Sequence, residues 1–173
     1  QGPNDKIKKP KFSKKMDYEC EVAMVLGREG KYIKEDEAQD YIFGYCIVND
    51  ISERSWQKER GGQWIKGKSI AGPCGPWLVT KDEIENLNNI SLTLNVNGKS
   101  RQKGNTEKMI FNFNFLVSHI SQFMTLYPGT IITSGTPAGT AMEMKNPEFL
   151  KAGDKLHLKV EGLGEQVQEV VDE

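Results

Sequence analysis

Short runs of alternating apolar and polar residues recur along the chain and predict a protein built mostly from β-strands. Successive side chains in a strand point to opposite faces, so alternation marks one buried face and one polar face. The stretch 17–27 fits a strand of this kind, although its apolar residues are interrupted by acids. We predict further strands at 45–49, 76–80, 90–95, 131–133, 156–160 and 166–171.

Two segments have helical rather than alternating periodicity. Residues 34–41 combine an acidic first turn with apolar spacing, and Gly44 is predicted to end this helix. In 114–126 apolar residues recur every three or four positions, and Pro128-Gly129 is predicted to stop the helix there.

Strands outnumber helices, and the two do not alternate regularly, so we predict the α+β class, mostly β with a few short helices. Asn97-Gly98 predicts a tight hairpin with a short, polar return strand. The length of 173 residues fits one domain. The lysine-rich segment 1–15 lacks either periodicity and has no interleaved aromatic residues, so we expect a solvated lead-in to a core at 16–173 rather than a basic arm for phosphates.

Composition narrows the range of functions. A hydrophobic content of 37%, a charged content of 27% and a net charge of −1 provide no global field that would attract nucleic acid or a membrane. There is no apolar run near the roughly 18 residues of a membrane span, and no secretory signal. We therefore expect a cytoplasmic protein acting on a small molecule. Cys20, Cys46 and Cys74 lack paired or metal-finger spacing and are predicted to be buried thiols.

Glu19 and Glu21 are two carboxylates in the otherwise apolar stretch 17–27. If this stretch is a strand, both side chains project from one face, about 7 Å apart along the chain. Ionised carboxylates this close repel each other, and burying them without a positive charge costs on the order of several kcal/mol. A hard divalent metal ion is the simplest compensation, so we predict that the two share a cation.

A second polar group follows the apolar strand 45–49. Asp50 ends that strand, and Arg54 and Gln57 lie three residues apart, so a helical turn would place them on one face with Arg54 one turn from Asp50. This arrangement groups an acid, a guanidinium and an amide. The alternative is structural, with Asp50 or Ser52 capping a short helix and the charges on the surface.

Lys68 lies between Gly67 and Ser69 and precedes a Gly/Pro-rich bend. The longer glycine spacing of a phosphate loop is absent, so we reject nucleotide binding. Lys68 could instead project an ammonium into a pocket and stabilise a developing enolate or carboxylate.

The segment 134–140 has the glycines and hydroxyls of a loop whose N–H groups can approach an anion, although the same residues suit a plain connecting loop. The two histidines are less informative. His119 lies four residues from both Phe115 and Phe123 and is expected in the core, and His157 alternates within a surface strand. Neither is an obvious general base.

Taken in order, these segments resemble the fumarylacetoacetate hydrolase family of metal-dependent enzymes, which act on dicarbonyl and 2-oxo acids. The resemblance spans nearly the whole chain, and the joint order and spacing of its motifs are specific. The matching segments include Asp17-Tyr18-Glu19-Cys20-Glu21, Asn49-Asp50-Ile51-Ser52-Glu53-Arg54, Gly67-Lys68-Ser69, Gly75-Pro76-Trp77-Leu78-Val79-Thr80, Gly104-Asn105-Thr106 and Gly135-Thr136-Pro137-Ala138-Gly139. The resemblance implies a mixed-sheet β-roll or sandwich core and a homodimer.

The resemblance also implies a metal centre. Glu19, Glu21 and Asp50 would ligate Mg2+, Mn2+ or Ca2+, and an oxygen-only ligand set matches such hard cations.

A catalytic and substrate-binding set is implied in the same way. Lys68, with Arg54 and Gln57, would hold substrate oxygens and the developing carbanion, and Lys66 competes with Lys68 but lacks the family's Gly-Lys-Ser context. The loop residues Gly135 and Thr136 would bind substrate, with Thr136 at its carboxylate.

The implied activity is hydrolysis of a carbon-carbon bond in a fumarylacetoacetate- or acylpyruvate-like dicarbonyl acid, through a metal-stabilised enolate. The alternatives are a decarboxylase or isomerase of the same family, or a non-catalytic metal-binding oligomeric module. The family assigns water activation to a histidine and an acid on a segment before the Glu-x-Glu strand, and nothing before Asp17 offers either. We therefore expect a C-terminal catalytic core with its general base upstream of residue 1, which binds metal but turns over slowly or not at all.

Overall fold

Strands dominate the structure, a computed structural model that describes residues 1–58, 67, 68 and 70–173. The described residues form the strands β1 (Ile7–Lys9), β2 (Met16–Asp17), β3 (Cys20–Leu26), β4 (Ile42–Asn49), β5 (Ser52–Glu53), β6 (Cys74–Thr80), β7 (Ser91–Val96), β8 (Lys99–Asn105), β9 (Ile131–Thr133), β10 (Lys155–Val160) and β11 (Gly164–Asp172). They also form the helices α1 (Arg54–Lys58) and α2 (Phe113–Ser121), and 3-10 turns at Glu35–Asp40, Lys81–Glu83, Thr106–Lys108 and Ala141–Glu143.

The strands lie in three sheets. The order β6-β4-β3-β9 makes a four-stranded antiparallel sheet, and β2 pairs with β5 in a short ladder. The third sheet, β1-β11-β10-β7-β8, is mixed because β1 runs parallel to β11. This confirms the predicted class of mostly β, mixed-sheet α+β with a few short helices. In the part of the chain that the structure describes, no helix has the length and apolar character of a membrane span.

One continuous apolar core joins the two larger sheets and α2. The predicted alternation is clearest in β7 and β10, whose buried residues are Leu92, Leu94, Val96, Leu156, Leu158 and Val160. Helix α2 contributes Phe113, whose ring meets the Tyr45 ring edge-on with centroids 5.6 Å apart. Alternate burial of this kind explains why the strand positions could be predicted from the sequence.

Two buried glutamines of β11 tie the sheets together. Gln166 Nε2 donates to the carbonyl oxygens of Ile47 (3.1 Å) and Gly75 (2.9 Å) on the other sheet. Gln168 Oε1 accepts a 2.7 Å hydrogen bond from Asn49 Nδ2. Because these polar atoms are buried, each bond that satisfies them also holds the two sheets in register.

The N-terminal segment is part of the fold, not the solvated lead-in that we expected of residues 1–15. Ile7 is fully buried and pairs with Val170 across the β1/β11 ladder. The N–H groups of Lys14 and Lys15 donate to the Glu53 carboxylate at 2.8 and 3.0 Å. Among the lysines of this segment, the single apolar residue of β1, Ile7, gave no periodic signal in the sequence.

Both helix predictions need correction at their ends. The first segment is a 3-10 helix at Glu35–Asp40, and Gly44 lies inside β4 rather than at a helix end. Helix α2 stops at Ser121, before the predicted 126, because the N–H and C=O of Leu126 bond to Gly30 at 2.8 and 2.9 Å. Two of the residues that suggested the longer helix, Phe123 and Met124, are consequently exposed.

The strand predictions are confirmed, with shifts at their ends. Asn97 and Gly98 have positive φ angles of 52° and 75°, as a tight hairpin turn requires. The return strand β8 is polar, as predicted, but its seven residues make it longer than expected. Cys20 and Cys46 are buried as predicted, whereas Cys74 is only partly buried.

Replacement of Gly44 tests the close approach of β4 and β6. A Cβ at this position would lie 2.3 Å from the carbonyl oxygen of Val79, a backbone atom that cannot move aside freely. We expect Gly44→Ala to lower the free energy of unfolding by about 1–3 kcal/mol, measured by urea denaturation. Gly72→Ala is the matched control, since nothing lies within 4 Å of its added Cβ, and it should change stability by less than about 0.5 kcal/mol.

Candidate metal centre

Three carboxylates converge where β3 begins and β4 ends. These strands are antiparallel, with Cys20 opposite Asn49, so the residues that flank this pair are brought together. Glu19, Glu21 and Asp50 each offer a carboxylate oxygen, and these oxygens lie within 4.8 Å of one another. The structure thus brings together the three residues that the sequence nominated as metal ligands.

The three carboxylates differ in how their charge is compensated. Glu19 accepts from Arg54 Nη2 at 2.5 Å, and both Glu19 and Asp50 accept from Lys68 Nζ, the latter at 2.7 Å. Glu21 accepts a 2.8 Å bond from the Gly135 N–H and has no cationic partner among the described residues.

This difference gives Glu21 an unusual acidity. Only 3% of the residue is exposed, and burial, followed by the charges of Asp50 and Glu19, raises the pKa of the Glu21 carboxyl to about 8. A buried carboxyl that must stay protonated unless a cation joins it, next to two further carboxylates, fits an oxygen-ligated divalent ion.

Lys68 supplies part of the missing positive charge. Burial alone would lower the pKa of the Lys68 ammonium, but its hydrogen bonds to Asp50 and Glu19 raise it, so the side chain is charged. About 29% of the side chain is exposed, which leaves it accessible from outside the protein. Its predicted competitor, Lys66, lies outside the described residues.

Arg54 links Glu19 to Asp17 and to Gln57. Its Nε donates to Asp17 at 2.9 Å, its Nη2 to Glu19, and its Nη1 to Gln57 Oε1 at 3.1 Å. Arg54 and Gln57 share a face as predicted, but the acid partners of Arg54 are Asp17 and Glu19 rather than Asp50. Both residues are at least 95% buried, so the alternative of surface charges on a short helix is wrong.

Gln57 retains unused hydrogen-bonding capacity. Its Nε2 is buried and has no hydrogen-bond partner among the described residues. Since an unpaired buried donor is costly, this amide is a candidate to bind a ligand oxygen.

Asp17 is a site residue that our reasoning missed. It is fully buried, accepts from the N–H groups of Ala141 (2.8 Å) and Met142 (3.2 Å), and anchors Arg54. The signal was available, because Asp17 precedes Glu19 by two residues, as Glu19 precedes Glu21, and side chains at such spacing share a strand face.

The loop 134–140 packs directly against the carboxylates. The Gly135 N–H, expected to approach an anionic ligand, binds the Glu21 carboxylate. Thr136 Oγ1 donates to the Cys20 carbonyl (3.0 Å) and accepts from Gln102 Nε2 (2.8 Å), so its hydroxyl has partners within the protein. Gln102, which no sequence pattern marked, also accepts from the Cys20 N–H at 3.0 Å and so fixes the loop to β3.

A cavity of about 530 Å³ is bordered by this loop. Gly135 and Thr136 form part of its wall, so the loop that binds Glu21 also borders the cavity. The cavity is lined mainly by apolar groups, with two lysines, and its wall includes Val22, Leu92, Lys103, Lys108, Met109 and Phe111.

Neither histidine belongs to the carboxylate cluster. His119 is exposed, contrary to the expectation of a core residue, and its ring contacts the rings of Phe115 and Phe123 at centroid distances of 5.5 and 5.1 Å. Helix α2 turns this row of rings away from the core. His157 lies on β10, as predicted, and meets Glu165 at 2.8 Å.

Comparison with known proteins shows relatives that match almost the whole of this chain. A relative from Burkholderia cenocepacia (strain HI2424) is 51% identical over 174 residues, which cover 99% of this chain and 62% of the relative. Its provisional name is hydrolase, without a substrate. The chain therefore spans about three fifths of the length of the relatives it matches.

Solved structures agree in fold. A fumarylacetoacetate hydrolase from Exiguobacterium antarcticum superposes with a TM-score of 0.92 at 35% identity, over 99% of this chain and 62% of that one. A 2-hydroxyhepta-2,4-diene-1,7-dioate isomerase from Mycobacterium marinum superposes with a TM-score of 0.88 at 37% identity, over 99% and 65%. The family model for the C-terminal part of fumarylacetoacetate (FAA) hydrolase matches residues 1–171. The chain belongs to the fumarylacetoacetate hydrolase family.

Proposed function

We propose that Glu19, Glu21 and Asp50 bind one divalent cation, Mg2+, Mn2+ or Ca2+, and that the protein hydrolyses a carbon-carbon bond in a fumarylacetoacetate- or acylpyruvate-like dicarbonyl acid. The observation that carries this proposal is the convergence of three carboxylates with Glu21 left uncompensated. Similarity to a fumarylacetoacetate hydrolase supports the reaction class. We further propose that the protein works as a homodimer.

A cation held by these three carboxylates would supply Lewis-acid polarisation of substrate carbonyl oxygens. Arg54 is proposed as a positioning residue rather than a substrate contact, because its Nε, Nη1 and Nη2 each donate to a protein acceptor. By holding Glu19 at 2.5 Å, it sets the direction in which that carboxylate faces.

Lys68 is the proposed electrostatic catalyst. Its ammonium contacts both Glu19 and Asp50. Its N–H donors therefore point toward the position that the oxygens of a metal-bound ligand would occupy. As the carbon-carbon bond breaks, negative charge develops on a substrate oxygen, and a preorganised ammonium stabilises that charge. Gln57 Nε2 is proposed as a second, neutral donor.

The cavity beside the 134–140 loop is proposed to hold the remainder of the substrate. Gly135, whose N–H binds Glu21, lines this cavity together with Thr136, and Lys103 and Lys108 on its wall suit an acidic group. Its apolar lining would exclude water from the body of a small oxo acid.

An isomerase is the second candidate, and the structural likeness to a dienedioate isomerase favours it specifically. Product analysis separates the possibilities when the protein, with the upstream segment that is expected to supply its general base, is incubated with Mn2+ and an acylpyruvate. A hydrolase converts acylpyruvate and water to pyruvate and a carboxylic acid, an oxo-acid decarboxylase releases carbon dioxide, and an isomerase changes neither composition nor mass. A non-catalytic module binds the metal and leaves the compound unchanged.

Substitution of Glu21 tests the metal centre. We expect Glu21→Gln to weaken Mn2+ binding by at least about 100-fold, because the amide cannot carry the ligand charge. Metal-free stability should change little, since the native carboxyl is already protonated at pH 7 and the amide oxygen can still accept from Gly135. Both effects are measured by calorimetric titration and thermal unfolding with and without Mn2+.

The control for this test is His119→Ala, which removes an exposed ring remote from the carboxylates and should leave the Mn2+-induced stabilisation intact. Unchanged Mn2+ affinity in Glu21→Gln would sink the assignment of the centre.

The acidity of Glu21 predicts pH-dependent metal binding. Below about pH 8 the carboxyl holds a proton that a cation must displace, so affinity should rise with pH up to about 8 and level off above it. At pH 7 binding should therefore release close to one proton per cation, since the carboxyl is mostly protonated below its pKa. Titration calorimetry in buffers of different ionisation enthalpy measures this number, and Glu21→Gln should abolish it. A pH-independent affinity between pH 6 and 8 would contradict the prediction.

Substitution of Lys68 separates substrate binding from metal binding. Lys68→Met should leave Mn2+ binding equal or stronger, because it removes a positive charge that competes for Glu19 and Asp50. Binding of oxalate, an enolate mimic, to the Mn2+ form should weaken about 10- to 100-fold, equivalent to about 1.4–2.7 kcal/mol. The control is Lys34→Met, which removes an exposed lysine whose one ion-pair partner among the described residues is Glu37. Equal oxalate affinity in Lys68→Met and the native chain would remove Lys68 from the site.

A further inference from the structure

Two cysteines distant in sequence lie side by side on the four-stranded sheet. Cys46 on β4 and Cys74 at the start of β6 have their Sγ atoms 3.4 Å apart. They belong to a small cluster, separate from the main core, in which Ala23, Val25 and Val48 are their neighbours. Both thiols are free in the structure, and neither is used by the metal centre.

No sequence pattern marks this pair, because the 28-residue separation of its members has no periodic meaning. The contact arises from the β4/β6 ladder, in which Val48 pairs with Cys74 and Ile47 with Gly75. The register then shifts, so that Cys46 stands between the paired residues Tyr45 and Ile47 at an irregular point of the ladder.

We propose that Cys46 and Cys74 are a redox-sensitive pair that hydrogen peroxide converts to an intramolecular disulfide and a thiol reductant restores. A disulfide requires sulfur atoms about 2.05 Å apart, so the two side chains must close a gap of little more than 1 Å from their present contact. No other thiol competes for either sulfur among the described residues, since Cys20 lies in the main core.

The two thiols have different roles in this chemistry. Cys74 is the more exposed, and its contact with the Cys46 sulfur at 3.4 Å lowers the pKa of the Cys74 thiol, which favours the thiolate. The same contact, together with burial, raises the pKa of Cys46, so Cys46 keeps its proton. Cys74 is therefore the attacking sulfur and Cys46 the resolving one.

The reaction balances with peroxide as the oxidant. The Cys74 thiolate attacks one peroxide oxygen, the O–O bond breaks, and the products are a Cys74 sulfenic acid and one water after proton uptake. The sulfur of Cys46 then attacks the Cys74 sulfur, the S–O bond breaks, and the hydroxide leaves as a second water with the Cys46 proton. The two thiols lose two electrons in total, and the peroxide gains them.

The disulfide would connect two strands that are adjacent in sequence to residues of the candidate metal centre. Cys46 lies on the strand that ends before Asp50, and Cys74 follows the chain segment that carries Lys68. Oxidation would therefore join β4, which precedes Asp50, to the start of β6, which follows Lys68, without using any proposed metal ligand.

The experiment treats the metal-free, reduced chain with hydrogen peroxide and follows free thiols, intact mass and disulfide-linked peptides. We expect free thiols to fall from three to one, the mass to fall by about 2 Da, and one peptide pair to join Cys46 to Cys74. Dithiothreitol should restore all three thiols. Cys20→Ala should behave like the native chain, because burial raises the pKa of Cys20 to about 12 and no thiol partners it.

Two single variants of the pair test the proposal separately, so that it can still be judged if one of them fails to fold. In Cys46→Ala the sulfenic acid on Cys74 should persist long enough for capture by dimedone, and in Cys74→Ala peroxide should consume no buried thiol. Over-oxidation of Cys74 in the native chain with Cys46 still free would overturn the proposal. So would a disulfide between two copies of the chain, seen as a doubled mass without reductant.

Discussion

Repulsion among buried carboxylates is the constraint on which the rest of this structure depends. Asp17, Glu19 and Glu21 are each at least 93% buried, and Asp50 joins them at the end of the neighbouring strand. Moving ionised groups out of water costs several kcal/mol each unless charges or hydrogen bonds replace the water. The positions of Arg54 and Lys68, the N–H groups of the surrounding loops and the acidity of Glu21 all follow from this requirement.

Charge compensation at fixed distances requires a rigid backbone around the carboxylates. Buried amide side chains as well as apolar packing provide that rigidity. Asn49 accepts from the Glu19 N–H with its side-chain oxygen and donates to Gln168 of the opposite sheet. Gln102 performs a similar task for Cys20 and Thr136. These buried amides lie immediately beside the carboxylates, so they fix the backbone from which the charges project, and the apolar alternation of β7 and β10 provides the core behind them.

Sequence reasoning found what local periodicity encodes. Alternation placed Glu19 and Glu21 on one face, and the three-residue spacing placed Arg54 beside Gln57. It failed where partners are distant in sequence: Asp17 with Arg54, Gln168 with Asn49, and Cys46 with Cys74 depend on which strands become neighbours and in what register. The predicted end of α2 was wrong for the same reason. The backbone of Leu126 is hydrogen-bonded to Gly30, a contact that no helical pattern predicts.

The charge of the assembled centre explains why a divalent ion suits it. Four carboxylates, Asp17, Glu19, Glu21 and Asp50, face two cationic side chains, Arg54 and Lys68, which leaves a net charge of −2 when all are ionised. The raised pKa of Glu21 reduces this to −1 near neutral pH by retaining a proton. A divalent cation that displaces the proton brings the centre to neutrality, whereas a monovalent ion leaves an uncompensated buried charge. In the proposed reaction, negative charge that develops on the substrate would then not be repelled by its surroundings. The Lys68 ammonium, no longer needed to compensate Glu19 and Asp50 alone, would be available to the substrate.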